Sequence, residues 1–328
     1  MADPIAPSTP SITGVHHVTA LAKDPQTNLD FYTRTLGLRL LKRTVNFDDP
    51  FTYHLYYGDA VGSPGTVLTH FPHPHAAPTG HGAGEIRRTL MAVPEGALEF
   101  WAGRLREAGV ATQRTSRFGR ARLEFADPDG MELGLVEDAG AIVGTAWEGR
   151  GVQAAQAIGG VDTATLRVAT PEDTGRVLTE ALGFQEQERD GASDGDETAR
   201  LYTLLDGGPG RRLELIEDAT GTPTPMGAGT VHHVAWRVAD VDAQHEVADR
   251  LFAAGVRTTP IIDRQYFRSI YFRIPGGVIF EVATDGPGFD ADEPMDGLGR
   301  ALRLPPEHEP KRSAIEAHLL PLRTEDRP

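Results

Sequence analysis

Gly14-Val15-His16-His17-Val18 and Thr230-Val231-His232-His233-Val234 are one phrase written twice, once near each end of the chain. Each reads as a short β-strand, with valines that suit a pleated, half-buried surface. The residues after the two phrases are also alike. A helical segment ends at a glycine, and further strands then run through a Gly-rich turn into a last strand. Two weaker copies lie between, so the opening strands centre near Val15, Leu90, Val161 and Val231, roughly one unit per 70 residues.

Helices are expected over 24–36, 96–108, 171–182 and 241–254, followed by Gly37, Gly109, Gly183 and Gly255. Glycine suits the left-handed position that ends a helix, and Pro25, Pro94 and Pro171 stand near three of the starts. The closing strands follow Ser63-Pro64-Gly65, Asp127-Pro128-Asp129-Gly130, Asp206-Gly207-Gly208 and Pro275-Gly276-Gly277. A lone βαβββ unit leaves one sheet face bare and is marginally stable, so the units must pair. The expected fold is α+β: four βαβββ modules forming two curved-sheet cups with helices outside. The modules are read as 13–73, 89–138, 160–218 and 229–285, with a C-terminal tail at 286–328 holding one short amphipathic helix near 310–320. Segments 72–88 and 139–159 read as a long loop and a linker between cups.

The 328 residues carry 32 Lys+Arg against 47 Asp+Glu, a net charge of −15. So acidic a surface repels phosphate backbones and anionic lipid, which argues against nucleic-acid and membrane partners. No apolar run approaches the roughly 20 residues of a bilayer helix, and residues 1–11 lack the apolar core of a signal peptide. A cytoplasmic protein is expected. The absence of Cys removes disulfides, zinc–thiolate sites, iron–sulfur clusters and cysteine nucleophiles. A metal here has only His and carboxylates to hold it.

Strand alternation then sorts the side chains. Val278, Phe280 and Val282 form an apolar face, so Glu281 falls on the other. Val234, Trp236 and Val238 do the same in the fourth module and turn His233 away from them; Val18 and Ala20 turn His17 likewise. If the first and fourth modules pair, two His and one Glu converge in one cup. That is the facial triad of non-haem Fe(II) oxygenases, which leaves one face of the metal open. A single strand histidine is more often a hydrogen-bonded or surface residue, but a doublet at two equivalent positions with a carboxylate on the matching face favours a metal. The middle modules open with Leu90-Met91-Ala92 and Val161-Asp162-Thr163, and Gly134 is read as matching Glu281. One metal site is expected, in the cup of modules one and four, and the other cup is structural. His70, His73, His75 and His81 read as a solvated loop, Trp101 and Trp147 as packing residues, and the acidic stretch 190–197 as a solvated hairpin loop. Gly80, Gly82 and Gly84 do not join a strand to a helix, so they form no nucleotide loop.

At these residues the chain resembles the vicinal-oxygen-chelate superfamily of glyoxalases, bleomycin-resistance proteins and extradiol dioxygenases. More closely it resembles the hydroquinone-type ring-cleaving dioxygenases. The likeness runs from about Thr13 to Leu320, through Val15-His16-His17-Val18-Thr19, Tyr53-His54-Leu55-Tyr56-Tyr57, Pro64-Gly65-Thr66-Val67, Phe71-Pro72 and Phe118-Gly119. It continues with His232-His233, Tyr266-Phe267, Tyr271, Arg273, Pro275-Gly276-Gly277-Val278 and Phe280-Glu281. The resemblance implies an extradiol-type oxidoreductase that uses Fe(II) to open a hydroquinone or catechol with O₂; the same ligand set also accepts Mn(II). His17, His233 and Glu281 match its metal ligands, and His16, Thr19, His232, Arg264 and Tyr271 match positions that line or support its pocket. Tyr271 or His232 is then the acid/base, and Arg264 steadies an anionic substrate oxygen. Strict alternation turns His16 and His232 away from the metal, unless a bulge intervenes. The implied partners are a small aromatic diol and O₂; paired-cup proteins often form homodimers, and the sequence leaves the oligomeric state open. Two alternatives stay open. A glyoxalase-like isomerase needs a fourth ligand where Thr69 stands, and a register slip of one residue would place His70 there. A non-catalytic quinone- or drug-binding protein would not need the triad.

Overall fold

The computed structural model describes residues 11–78, 80–190, 198–223 and 225–324. Of the acidic stretch at 190–197, residues 191–197 lie outside the described residues, as do residues 1–10 of the N-terminal segment. The first module is β1 (Gly14–Ala22), α1 (Pro25–Asp30), β2 (Arg39–Asn46), β3 (Asp49–Gly58) and β4 (Val67–Pro72). The second is β5 (Glu85–Val93), α2 (Leu98–Glu107), β6 (Thr112–Arg117), β7 (Arg120–Ala126) and β8 (Glu132–Glu137). The third is β9 (Gly160–Val168), α3 (Pro171–Glu180), β10 (Gln185–Asp190), β11 (Ala199–Thr203) and β12 (Arg212–Glu217). The fourth is β13 (Val231–Val238), α4 (Val241–Ala253), β14 (Ile262–Asp263), β15 (Arg268–Arg273) and β16 (Ile279–Thr284), and the tail adds α5 (Arg312–His318).

Two eight-stranded sheets result, ordered β14-β15-β16-β13-β1-β4-β3-β2 and β10-β11-β12-β9-β5-β8-β7-β6. The first and fourth modules therefore share one sheet, and the middle two share the other. The apolar rows Val18/Ala20, Val234/Trp236/Val238 and Phe280/Val282 are buried in one continuous core. Local signals set the helix ends. Asp24 Oδ1 accepts the N–H of Thr27 at 2.7 Å, and Asp240 Oδ1 accepts that of Ala243 at 2.9 Å. Gly37 has φ +69°, and a Cβ there would lie 2.7 Å from Val152 Cγ2, so glycine answers both torsion and space. The first helix is not the uninterrupted segment 24–36. After Asp30 it widens into a π-type turn, Phe31–Thr35, closed by Leu36 N–H to Phe31 O at 3.0 Å, and Phe31 and Tyr32 are both buried there.

Each sheet has one antiparallel seam joining its two modules, and each seam carries two bulges. Between β1 and β13 the register shifts at His16 and again opposite, at His232. Between β5 and β9 it shifts at Arg87 and at Asp162. The shared geometry fixes which residues correspond. Thr19 pairs with Thr69 as Leu90 pairs with Gly134, and Ala235 pairs with Glu281 as Thr165 pairs with Glu214. Thr69, Gly134, Glu214 and Glu281 thus hold one repeat position, so Gly134 does match Glu281, but the third module carries an equivalent carboxylate, Glu214, which the sequence reading missed.

Glu214 is buried and answered by a guanidinium. Arg122 Nη2 donates to Glu214 Oε1, Arg122 Nη1 donates to Oε2 at 3.1 Å, and Thr165 Oγ1 to Oε2 at 3.2 Å. Arg120 and Arg212 similarly pair Asp162, at 2.6 Å each. This cup is filled by ion pairs. Replacing Arg122 by Ala leaves Glu214 charged and unpaired, at an expected cost of about 3–5 kcal/mol, whereas Arg122→Met with Glu214→Leu should recover most of it. Chemical denaturation of the single and double variants measures both.

Candidate metal centre

Three elements of the first sheet place three donors together. His17 comes from β1, His233 from β13 and Glu281 from β16, all buried, with one ligand atom of each within 4.8 Å of the others. Glu281 Oε2 lies 2.8 Å from His233 Nε2 and 3.4 Å from His17 Nε2, and the two Nε2 atoms are 3.4 Å apart. Ser269 Oγ donates to the other carboxylate oxygen, Oε1, so the group is oriented, and Oε2 faces the two imidazole nitrogens. Burial opposes the Glu281 charge, but His17 and His233 outweigh it and hold the carboxyl well below its ordinary range. Burial pulls the His233 imidazole down despite Glu281. The arrangement gathers one carboxylate and two imidazole nitrogens around a single point, and a cation is what such a set accommodates.

The bulges resolve the placement of His16 and His232. Each is the extra residue in its strand, so it need not point away from its neighbour. His16 Nδ1 lies 2.9 Å from His17 Nδ1, and His232 Nδ1 lies 2.7 Å from His233 Nδ1. Such a partner keeps the ligand's proton on Nδ1 and presents the Nε2 lone pair to the metal position. Burial pushes both His16 and His232 down to about 3, so they act as neutral imidazoles. His232 also lines the cavity, whereas His16 packs behind it with its ring 5.0 Å from Phe267.

The cavity above the three donors has a volume of about 360 Å³. An apolar cavity of about 150 Å³ holds benzene, so one substituted ring fits. Thr19, Arg264 and Tyr271 all line it, as expected. Arg264 Nε donates to Tyr271 Oη at 3.1 Å, and Arg264 Nη2 reaches Asp48 Oδ2 at 3.0 Å across the mouth. Burial and Glu281 push the Tyr271 phenol well up, so it stands as a neutral donor.

Several residues that line or back the cavity have no role assigned from the sequence. His54 and Tyr56 alternate onto the cup face of β3, and Ser269 stands two residues before Tyr271 on β15. Alternation was the available signal for all three. Asp48 had none, because its contact with Arg264 joins distant segments. The histidine-rich stretch divides: His70 belongs to β4, His73 lines the cavity, His75 is exposed, and His81 Nδ1 meets Glu85 at 3.2 Å. Among the described residues His17, His233 and Glu281 form the one such donor cluster. Trp101 is buried, with its indole N–H on Gln156 O at 2.8 Å, and Trp147 stacks under Arg39. Also among the described residues, no helix is long and apolar enough to cross a membrane.

Residues 14–135 and 160–282 match the Glyoxalase/Bleomycin resistance protein/Dioxygenase superfamily. The chain belongs to it. MhqO of Bacillus subtilis (strain 168), whose name describes a ring-cleaving dioxygenase, is 42% identical over 308 residues, covering 94% of this chain and 96% of its own. A chlorohydroquinone/hydroquinone 1,2-dioxygenase of Sphingobium indicum is 33% identical over 307 residues, 91% of this chain and 93% of its own. The crystal structure of a Bacillus subtilis protein described as a dioxygenase superposes with a TM-score of 0.87 at 40% identity, covering 96% of this chain and 99% of that one. Glyoxalase I of Zea mays shares the fold, with a TM-score of 0.62 at 16% identity, over 83% of this chain and 92% of its own.

Within this superfamily fold the register at position 69 separates the readings. Thr69 faces the cup beside Thr19, at 3.0 Å between hydroxyl oxygens, and no slip brings His70 there. His70 points into the core against Tyr32, 4.3 Å between ring centres, and neither of its ring nitrogens has a hydrogen-bond partner. Burial pushes it from an ordinary 6.5 down to about 3. Between those values the unfolded chain binds the proton and the folded one does not, so stability falls as pH falls through this window. His70→Phe should therefore lose less stability than the native chain on going from pH 7.5 to pH 5, by about 2 kcal/mol, in denaturant titrations at both pH values.

Proposed function

We propose that this protein is an extradiol-type ring-cleaving dioxygenase that opens a hydroquinone- or catechol-type diol with O₂, using Fe(II) held by His17, His233 and Glu281. The observation that carries this reading is the triad itself: three convergent donors with Thr69, which supplies no carboxylate, at the fourth place. A four-ligand isomerase site is short of a ligand here, and a passive binder has no use for two backed imidazoles beside a buried carboxylate. Relatives named as ring-cleaving and hydroquinone dioxygenases support the same reaction class. Ferrous iron would supply a Lewis-acidic centre with open positions for O₂ and an ionised phenol, and Mn(II) suits the same donors.

The chain's own residues then divide the work. His16 and His232 fix the imidazoles through Nδ1, and Ser269 fixes the carboxylate through Oε1. Tyr271 and His232 border the cavity as neutral groups, one able to give a proton at Oη and the other to take one at a ring nitrogen. Arg264, braced by Asp48, faces an anionic substrate oxygen. Phe267 and Phe71 wall the cavity with rings. Both atoms of O₂ end in the ring-opened product, so no external reductant is needed. The first module's cup and the fourth's form the catalytic half, and the ion-paired cup of the middle modules supports it.

Oxygen uptake by anaerobically Fe(II)-loaded protein, offered hydroquinone, methylhydroquinone and catechol in turn, tests the reaction. Fast uptake with a new ring-opened chromophore is expected for one of them; no uptake with iron bound would sink the dioxygenase reading. Glu281→Gln tests the ligands: Fe(II) binding should weaken by roughly a hundredfold or more and turnover should be lost. Retention of both would remove Glu281 from the ligand set.

A further inference from the structure

A chain of four polar side chains runs through the wall of the cavity opposite Glu281, and the proposed chemistry leaves most of it unused. Tyr56 Oη lies 2.9 Å from His54 Nδ1, His54 Nε2 lies 2.7 Å from Thr69 Oγ1, and Thr69 Oγ1 lies 3.0 Å from Thr19 Oγ1. Tyr56, Thr69 and Thr19 are buried, and the His54 ring is clamped between Tyr56 and Phe71 at 4.0 and 4.1 Å. The chain is the counterpart of the Ser269–Glu281 pair: β3 pairs with β4 as β15 pairs with β16, so Thr69 corresponds to Glu281 and His54 to Ser269. One half of the cup thus offers a carboxylate, and the other offers a threonine tied to a histidine.

A neutral imidazole has one N–H and one lone pair, so the chain has a direction. The buried Tyr56 proton finds its acceptor at His54 Nδ1. Were His54 Nδ1 to carry the proton instead, the phenol O–H would lose its acceptor in a buried site, a loss worth more than an ordinary hydrogen bond. With Nδ1 accepting, Nε2–H donates to Thr69 Oγ1, the Thr69 hydroxyl donates to Thr19 Oγ1, and the Thr19 proton is left over. Thr19 stands on the cavity wall, two residues after His17.

We propose that Thr19 is a committed hydrogen-bond donor to an oxyanion of the bound aromatic substrate, and that His54 is the positioning residue that sets this polarity through Thr69. Thr19 and Thr69 act as one unit, and His54 never touches the ligand. The inference rests on the aromatic-diol reading for its ligand class, but it is tested without turnover.

The probe is 4-nitrophenol, whose phenolate absorbs in the visible, titrated into protein loaded with redox-inert Zn(II). Thr19→Val, Thr69→Val and His54→Phe should each weaken phenolate binding by roughly tenfold, as expected for one hydrogen bond to a charged group. The Thr19→Val/Thr69→Val double variant should lose no more than Thr19→Val alone, because Thr69 acts on the ligand only through the Thr19 hydroxyl. Thr69→Ser keeps the hydroxyl and should bind within about twofold of the native chain, which also guards against a folding artefact in Thr69→Val. Zn(II) affinity should be unchanged throughout. Native-like phenolate binding in Thr19→Val or His54→Phe overturns the proposal, as do multiplying losses in the double variant. Loss of Zn(II) binding in Thr69→Val also overturns it, by making the chain a prop for the ligands. If the native protein takes up no oxygen with any diol, the ring-cleaving reading falls while this titration still decides the role of Thr19.

Discussion

A carboxylate sealed inside a folded chain needs positive charge beside it, and both cups are organised around that requirement. In one sheet the carboxylate is Glu281, in the other Glu214, at the same register position. Glu214 meets the guanidinium of Arg122, which reaches it from the position His54 holds in the first module. Glu281 has no guanidinium or ammonium beside it: the imidazoles of His17 and His233 face one of its oxygens and a serine bonds the other. The same electrostatic problem is solved by an ion pair in one cup, while the other gathers donors that suit a cation. A ligand-binding centre and an inert one can therefore share a backbone.

The seam between modules supplies the second condition. A strand that alternates strictly cannot use two consecutive side chains on one side of a sheet. The bulges at His16 and His232 add one residue to each seam strand, so the imidazoles of His17 and His233 are each backed by their own neighbour. The middle modules bulge at Arg87 and Asp162, where no such pair exists. The bulge is thus a property of the way these modules join, and the histidine pairs are chemistry written onto it.

How much of this the sequence discloses depends on the range of the interaction. His17, His233 and Glu281 are legible because each is sorted by alternation within a single strand next to a clear apolar row. Helix ends are legible because Asp24, Asp240 and the terminal glycines act within a few residues. Glu214 stands at the Glu281 position, as Gly134 does, but no histidine doublet opens its module to draw attention to it. His54 and Ser269 obeyed alternation, but their partners Thr69 and Glu281 lie on other strands, and a lone polar residue in a strand has many ordinary explanations. The contact of Asp48 with Arg264 has no local signature at all.

The tail shows the same limit and explains why the cavity keeps its shape. β2 is an edge strand, and an uncovered edge would offer its backbone to other chains. The segment after β16 returns across it: Arg303 N–H bonds Arg43 O at 2.9 Å, and Ile315 and Leu304 bury themselves beside the first module. Lys42, whose side chain is wholly buried, sends its ammonium to Phe289 O at 2.9 Å and to Asp292 and Glu293 at 2.6 Å each. That burial is tolerable because every charge is answered within hydrogen-bond distance. His308 then bonds the carbonyl of Phe47 at 3.0 Å, in the turn that carries Asp48 over the cavity mouth. Asp48 meets Arg264, and Arg264 meets Tyr271. The tail that protects the sheet edge thereby also braces the turn that walls the site, so edge protection and the geometry of the candidate centre rest on the same contacts.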